Sequence, residues 1–544
     1  MKRSSVHRIL ALFVVIVLVV SCGPALTFPR ACDPLPAPDV ATAFSSLPPA
    51  STEWQDQIVY GLSPHKFYDG DPTNNYMRDE YDLPNPNFQG GFLGGDIAGI
   101  CQQMPYLKSL GITSVLLDSM FSNDEKPIFE YLANGYRVRD FQTIDRNIGT
   151  NEEFIRMVED FHATTNGRRI NVILKLSMAW TGLEHPWATK PKLYPGYYRP
   201  WNETNPSENI GTQPLTLPYG KVDNLLGLPI IHHTQGMDTR TGVYREVRDN
   251  IAFWLAGQFD IDGVHYDSAQ FIHAAFWPTF MSDFRQQYVE KDPHFWHIAD
   301  VFIWPPDQKS WQVPAGEFVN PVGPIRMNGV YDHATIAHIQ QVFATGADPN
   351  CTPGFCANML QQLANAEHSE ALITSVDGFN SFLRAVKNGN AEEKLYLAST
   401  FLLTINRVPV IYSGNEYGID YDEPGELFSN GIQDYHENYK KLLQIRQDHA
   451  AFRRGSLIPL DTTANIISYA RQYEGQTFIV VLNNSAEKSP DFKINLGSKS
   501  ISCSSVQNLL VENDPNIQVN NPGTNDNSLI VTLDGWEPKI IQCE

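Results

Sequence analysis

The sequence predicts an α/β fold of repeated strand–helix units followed by an antiparallel β domain, and three observations lead there. Short apolar runs with strand character, at 57–63, 113–117, 171–177 and 258–267, alternate with segments of helical periodicity. One such unit is complete in itself. Val243, Val247, Ile251, Trp254 and Leu255 recur at helical spacing, and then Phe259, Ile261 and Val264 lead to the acidic Asp267. A buried strand fed by an amphipathic helix and ending on a carboxylate suggests a βα repeat with its chemistry at the C-terminal rim. From about residue 456 the pattern changes to short alternating runs such as 478–482, as in an antiparallel sandwich.

The bulk properties suit this. A chain of 544 residues, 42% hydrophobic and 11% aromatic, is globular and long enough for more than one domain. Its formal net charge of −21 argues against nucleic acid or an anionic membrane as partner and is compatible with a neutral ligand. Lys2, Arg3 and Arg8 precede an apolar run over residues 9–20, too short to span a bilayer, so residues 1–22 read as a secretory signal. Val19, Val20, Ser21 and Cys22 also resemble a bacterial lipoprotein cleavage box, which would make Cys22 a lipidated first residue on the outer face of a membrane. Both readings place the protein outside the cell. Six cysteines remain, an even number in an exporting context. Fifteen pairings are open to them, of which Cys351–Cys356, Cys503–Cys543 and Cys32–Cys101 form one set.

Taken in order, residues 23–50 are rich in Pro, Ala and Ser and read as a linker. The first strand at 57–63 is followed by a loop carrying Asp69, Asp71, Asn74 and Asn75, with Gly94 and Asp96 further on. Oxygen-bearing side chains packed around Gly and Pro suit calcium; an Asx-rich turn without metal is the alternative. A helix is expected over 97–110, a strand at 113–117, a helix over 151–164 and a strand at 171–177. The stretch 180–235, rich in Trp, Tyr, Pro and Asn, has little periodicity. Strands follow at 258–267, 296–302, 371–377 and 409–416, and a helix near 439–447.

The stretch Phe259–Asp267 is where a family becomes recognisable: it resembles the nucleophile strand of the alpha-amylase family, glycoside hydrolase family 13, with pattern G-F-D-G-x-R-x-D. The family's arginine is His265 here. Residues 134–145 resemble the family's H-G-Y-x-x-x-D-Y segment, keeping the sugar-stacking tyrosine as Tyr136 and replacing its histidine by Asn134. The resemblance covers about 50–490. It implies a (β/α)8 TIM barrel (51–455) with domain B inserted at 180–235, and a C-terminal antiparallel β-sandwich (456–544). It also implies that Asp69, Asp71, Asn74, Asn75, the Gly94 carbonyl and Asp96 form the N-terminal calcium site of cyclodextrin-glucanotransferase-like members.

Retaining glycoside hydrolysis needs a carboxylate nucleophile and an acid for the leaving oxygen. Carried over, the nucleophile is Asp267, the general acid Asp300 where the family has glutamate, and the third carboxylate Asp377. Lys175 stands where the third-strand motif has an acid, Val376 replaces a sugar-binding histidine, and Ala179 replaces an asparagine of the calcium site between barrel and domain B. Because the third and fourth strands are neighbours, Lys175 is expected to restore beside Asp267 the positive charge lost at His265; a lysine snorkelling to solvent is the alternative. Tyr136, Lys175, His265 and Trp304 are the expected substrate-facing residues. Most of Trp180, Trp187, Tyr197, Tyr198 and Trp201 are expected to pack domain B itself, and His232 and His233 to be structural. Two functions follow: an exported retaining hydrolase of α-glucans or maltooligosaccharides, or a non-catalytic barrel that binds carbohydrate or a protein.

Overall fold

The computed structural model describes residues 53–75, 94–118, 120–124, 135–163, 169–218, 220–287, 295–301, 318–319, 323, 325–345, 355–378, 381–386, 389–420 and 433–544. The N-terminal signal, Cys22, Cys32, Asn134, Trp304 and Cys351 lie outside the described residues. Eight parallel strands close into a barrel: β1 (Val59–Leu62), β2 (Ser114–Leu117), β3 (Asn171–Leu176), β4 (Gly263–Tyr266), β5 (Trp296–Ala299), β6 (Gly329–Tyr331), β7 (Leu372–Ser375) and β8 (Val408–Tyr412). Neighbours follow chain order, and β1 pairs with β8 through Val59 opposite Val410.

Both faces of these strands are buried, so their residues are apolar on both sides, yet alternation still sorts them. Val59, Leu116, Ile173, Ile298, Ile373 and Val410 fill the interior. Val115, Val172, Leu174 and Val264 face the surrounding helices. Continuing the inward parity toward the strand ends brings Asp118, Lys175, His265, Asp267, Asp300, His333 and Asp377 to the C-terminal rim.

Two elements differ from expectation. The helix expected over 97–110 is two helices, Ile97–Gln102 and Met104–Leu110. Pro105 has no N–H to donate and is accommodated at the start of the second helix. Asp96 caps the first, accepting from Gly99 N at 2.6 Å. The three-residue β6, with no long apolar run to announce it, was not anticipated. The helix before β4 widens to π geometry over Glu246–Phe253.

Domain B is stitched by isolated bridges (Trp180 to Ile230, Tyr198 to Ile231, Pro200 to Val222) and by buried Asp223, which accepts from the backbone of Ile210, Gly211 and Asn224. At its junction with the barrel, Asp124 takes Arg137 at 2.8 Å and the N–H groups of Leu183 and Glu184. This buried ion pair joins the barrel to domain B, where Ala179 replaces an asparagine of the family's calcium site. Trp180, Trp187 and Tyr198 are buried, and His233 Nε2 donates to Met178 O at 2.7 Å, both as expected.

The C-terminal domain pairs a five-stranded antiparallel sheet with a three-stranded one. Along Gln476–Asn483, Ile479 and Val481 face the second sheet, while Phe478, Val480 and Leu482 join the barrel core. The disulfide Cys503–Cys543 lies in this domain. Cys101 and Cys356 are also disulfide-bonded.

Three buried histidines predict acid sensitivity. Burial lowers His185 and His233 to about 4 and His297 to about 3. The unfolded chain takes these protons near 6.5 and the native state refuses them. The stability they provide is therefore complete above 6.5 and is lost as pH falls toward 4. Unfolding free energies from denaturant titration are expected to fall between about pH 6.5 and pH 5, by roughly 1–2 kcal/mol for each histidine; a flat profile there refutes the assignment.

Candidate active site

After β4 the chain turns sharply, with Ser268 at φ 59°. Asp267 N still pairs with Leu176 O at 3.1 Å, which fixes the carboxylate at the rim. Its Oδ2 accepts from Ser177 Oγ at 3.1 Å and its Oδ1 from Ser268 Oγ at 3.2 Å. Lys175, in register with His265 across the β3–β4 pair, brings Nζ to 3.7 Å from Asp267 Oδ2. The same ammonium lies 3.3 Å from Asp118 Oδ2 and donates to the Tyr136 hydroxyl at 2.9 Å. Burial works against its charge, but Asp118, Asp267 and Tyr136 outweigh burial and hold the lysine protonated, well above its ordinary value. Lys175 therefore stands beside Asp267, as the neighbouring strands led us to expect, and does not snorkel to solvent.

His265 faces the other way. Its Nε2 lies 3.3 Å from Asp300 Oδ2, and its ring stacks on Tyr331 with centroids 4.8 Å apart. Asp300 Oδ1 meets Nε2 of His333, just beyond β6, at 2.6 Å. Burial disfavours the Asp300 charge, yet His333 and His265 outweigh it and hold the carboxyl well below the usual range. His265, at the position of the family's arginine, thus lies against Asp300 after β5, while Asp267 meets its cation from β3.

Asp377, beyond β7, is also buried. Its Oδ1 accepts from Phe382 N at 2.7 Å and its Oδ2 from Asn415 Nδ2 at 2.9 Å. Tyr136 is held from behind by Trp180, whose Nε1 donates to the Tyr136 carbonyl at 2.8 Å. A small cavity opens among Asp118, Lys175, His265 and Tyr412. Sequence reasoning missed Asp118, Ser177 and His333. Inward parity is the signal that could have found them: each is two residues beyond an inward position, or at a strand's last inward step.

In the N-terminal loop, Asn75 Nδ2 donates to Asp69 Oδ2 at 2.8 Å and Asn74 Nδ2 to Asp96 Oδ2 at 3.1 Å. The Oδ1 atoms of both asparagines are buried and accept no hydrogen bond. Gly94, at φ 88°, approaches so closely that a Cβ there would meet Asn75 and Asp69 side-chain atoms at 2.8–2.9 Å. Two orphaned amide oxygens beside carboxylates, with the Gly94 backbone pressed against them, fit a hard cation. Among the described residues no three His, Cys, Asp or Glu side chains converge as a metal-binding group, so any cation held here relies on amide and carbonyl oxygens as well.

Known proteins resemble this chain in sequence and in fold. A family profile described as the alpha-amylase catalytic domain matches residues 61–302. The chain is similar to a cyclomaltodextrinase of Thermoanaerobacter pseudethanolicus, 25% identical over 81% of this chain and 72% of the relative. It is equally similar to neopullulanase 2 of Thermoactinomyces vulgaris, 25% identical over 80% and 71%. An Anoxybacillus alpha-amylase crystal structure superposes with a TM-score of 0.70 at 21% identity, covering 90% of this chain and 98% of that one.

Proposed function

The chain belongs to the alpha-amylase family of O-glycosyl hydrolases, and on that premise we propose that it is an exported, retaining enzyme acting on α-linked glucans or maltooligosaccharides. The observation that carries this reading is the Asp267 carboxylate at the end of β4, with the Lys175 ammonium 3.7 Å away and Asp300 at the end of the adjoining strand. In such a site Asp267 attacks the anomeric carbon, the Asp300 side supplies a proton to the departing oxygen, and water then releases the sugar from Asp267 with the reverse proton transfer. Asp377 is assigned to the sugar hydroxyls and Tyr136 to the ring face. Release of reducing sugar from soluble starch and maltooligosaccharides tests the proposal.

One observation favours a second reading. The Lys175 ammonium sits 4.9 Å from the centroid of the Tyr136 ring, on which family members stack a sugar. An ammonium at the hydroxyl end of that ring, beside Asp267 and at a position where the family has an acid, suits a barrel that has lost its cleavage chemistry and kept a carbohydrate-binding surface. Oligosaccharide binding without turnover, unchanged by Asp267→Asn, would establish this reading instead.

Calcium is assigned to the Asp69, Asp71, Asn74, Asn75, Gly94 and Asp96 loop, where it would tie β1's following loop to the helix beginning at Ile97. Adding calcium to chelator-treated protein at about 100 times its Kd is expected to stabilise it by about 2.7 kcal/mol. That corresponds to a rise of several degrees in Tm, abolished in Asn75→Ala. A Tm indifferent to calcium removes the ion from this site.

A further inference from the structure

The acid of this site is more than one carboxyl group. Asp300 is flanked on both sides by imidazoles, His265 of β4 with Nε2 at 3.3 Å from one oxygen and His333, which opens the helix after β6, with Nε2 at 2.6 Å from the other. The three side chains are largely buried, at 15%, 3% and 14% exposure in the order Asp300, His265, His333. Tyr331 stacks on His265 and lies 5.8 Å from the His333 ring, so both imidazoles are held in place. A separation of 2.6 Å is that of a charge-assisted hydrogen bond, with the N–H donating and the carboxylate accepting.

We propose that the catalytic acid is an Asp300–His333 dyad in which His333 Nε2 stores the proton and Asp300 passes it to the leaving oxygen. This rests on the retaining-hydrolase reading. In the first step Asp267 bonds to the anomeric carbon and the glycosidic C–O bond breaks, its electron pair leaving with the oxygen. The Nε2 proton of His333 moves onto the Asp300 carboxylate, and Asp300 hands that proton to the departing oxygen. A glycosylated Asp267, a carboxylate and a neutral imidazole remain. In the second step a water oxygen bonds to the anomeric carbon, its proton returns through Asp300 to His333, and Asp267 departs as a carboxylate. Atoms and charge balance with no other reactant.

The electrostatics support this storage site. Asp300 from β5 and Asp267 from β4 face His333, and Asp332 precedes it with its own charge matched by Arg407 Nε at 2.8 Å. The nearby basic groups are His265, against the other Asp300 oxygen, and Lys175, engaged by Asp118 and Asp267. Burial alone would lower His333, but the carboxylates, Asp300 first, raise it above its ordinary 6.5. The ring therefore holds its proton more firmly than an ordinary imidazole and gives it up only as pH rises through that elevated value.

His333→Asn, compared with wild type on two substrates, tests the dyad. Maltooligosaccharides need a protonated leaving group, whereas α-maltosyl fluoride departs without one. The variant is expected to lose on the order of 10²–10³-fold in kcat/KM on the oligosaccharide and no more than a few-fold on the fluoride, and to lose the alkaline limb of the oligosaccharide pH profile. Equal losses on both substrates, or an unchanged alkaline limb, would overturn the dyad. A wild type active on neither substrate refutes the hydrolase reading itself. Histidine NMR reads the proton directly, without turnover. An imidazolium at His333 at neutral pH that becomes neutral in Asp300→Asn supports the dyad, and a neutral ring in the wild type overturns it.

Discussion

Asp267→Asn is expected to lower maltooligosaccharide turnover by at least about 10³-fold while leaving oligosaccharide affinity within a few-fold. The amide is nearly the size and shape of the carboxylate and still accepts from Ser177 Oγ, so the rim keeps its form. It cannot form the glycosyl ester through which a retaining enzyme works. The carboxamide also loses its attraction to Lys175, now a cation shared between Asp118 and the neutral Tyr136 hydroxyl. Single-turnover kinetics with maltooligosaccharide, beside calorimetric binding, separates the two quantities. Turnover that survives the substitution would move the nucleophile to another carboxylate.

Lys175→Met has the second largest expected effect, in turnover and stability together. The ammonium is one cation serving Asp267 at 3.7 Å and Asp118 at 3.3 Å, and its side chain is only 17% exposed. Methionine matches its length and removes the charge, leaving two inward-facing carboxylates to repel each other with no cation between them. Removing one partner of a buried ion pair costs about 3 kcal/mol or more, because the charge left behind is uncompensated. The fall in turnover is expected to be on the order of 10²-fold, since both the charge and the position of Asp267 change. Lys175→Arg is expected to recover part of each. Thermal unfolding and kcat/KM on maltooligosaccharide measure the two effects. Were the Lys175→Met variant as active as wild type, the cation would be a bystander to the chemistry.

Much of the scaffold was legible in the sequence. Apolar runs such as Val172, Ile173 and Leu174 announce a strand buried on both faces, and the run 478–482 announces a sandwich strand. The residues Asp267, Asp300 and Asp377 were legible as strand-end acids. The sixth strand was not: Gly329, Val330 and Tyr331 are too few to form a periodic pattern, and their pairing with β5 and β7 is what holds them extended. His333 was lost with it. Asp118 was passed over because, read alone, an acid after an apolar strand signals only the strand's exit to solvent.

What the sequence by itself determined is the local part: which residues form strands, which side of each strand a residue takes, and so which chemical groups reach the rim. What only the tertiary structure decided is which of those groups meet. Alternation along a strand is set by backbone geometry within a few residues, whereas adjacency around a barrel is set by closure, register and rotamer. Lys175 and Asp267 are far apart in sequence, as are Asp300 and His333, and each pair meets because neighbouring strands carry both inward, one two-residue step apart along the strands. The charge on each group follows from that meeting, because a buried ion's proton affinity is set by the few charges nearest to it.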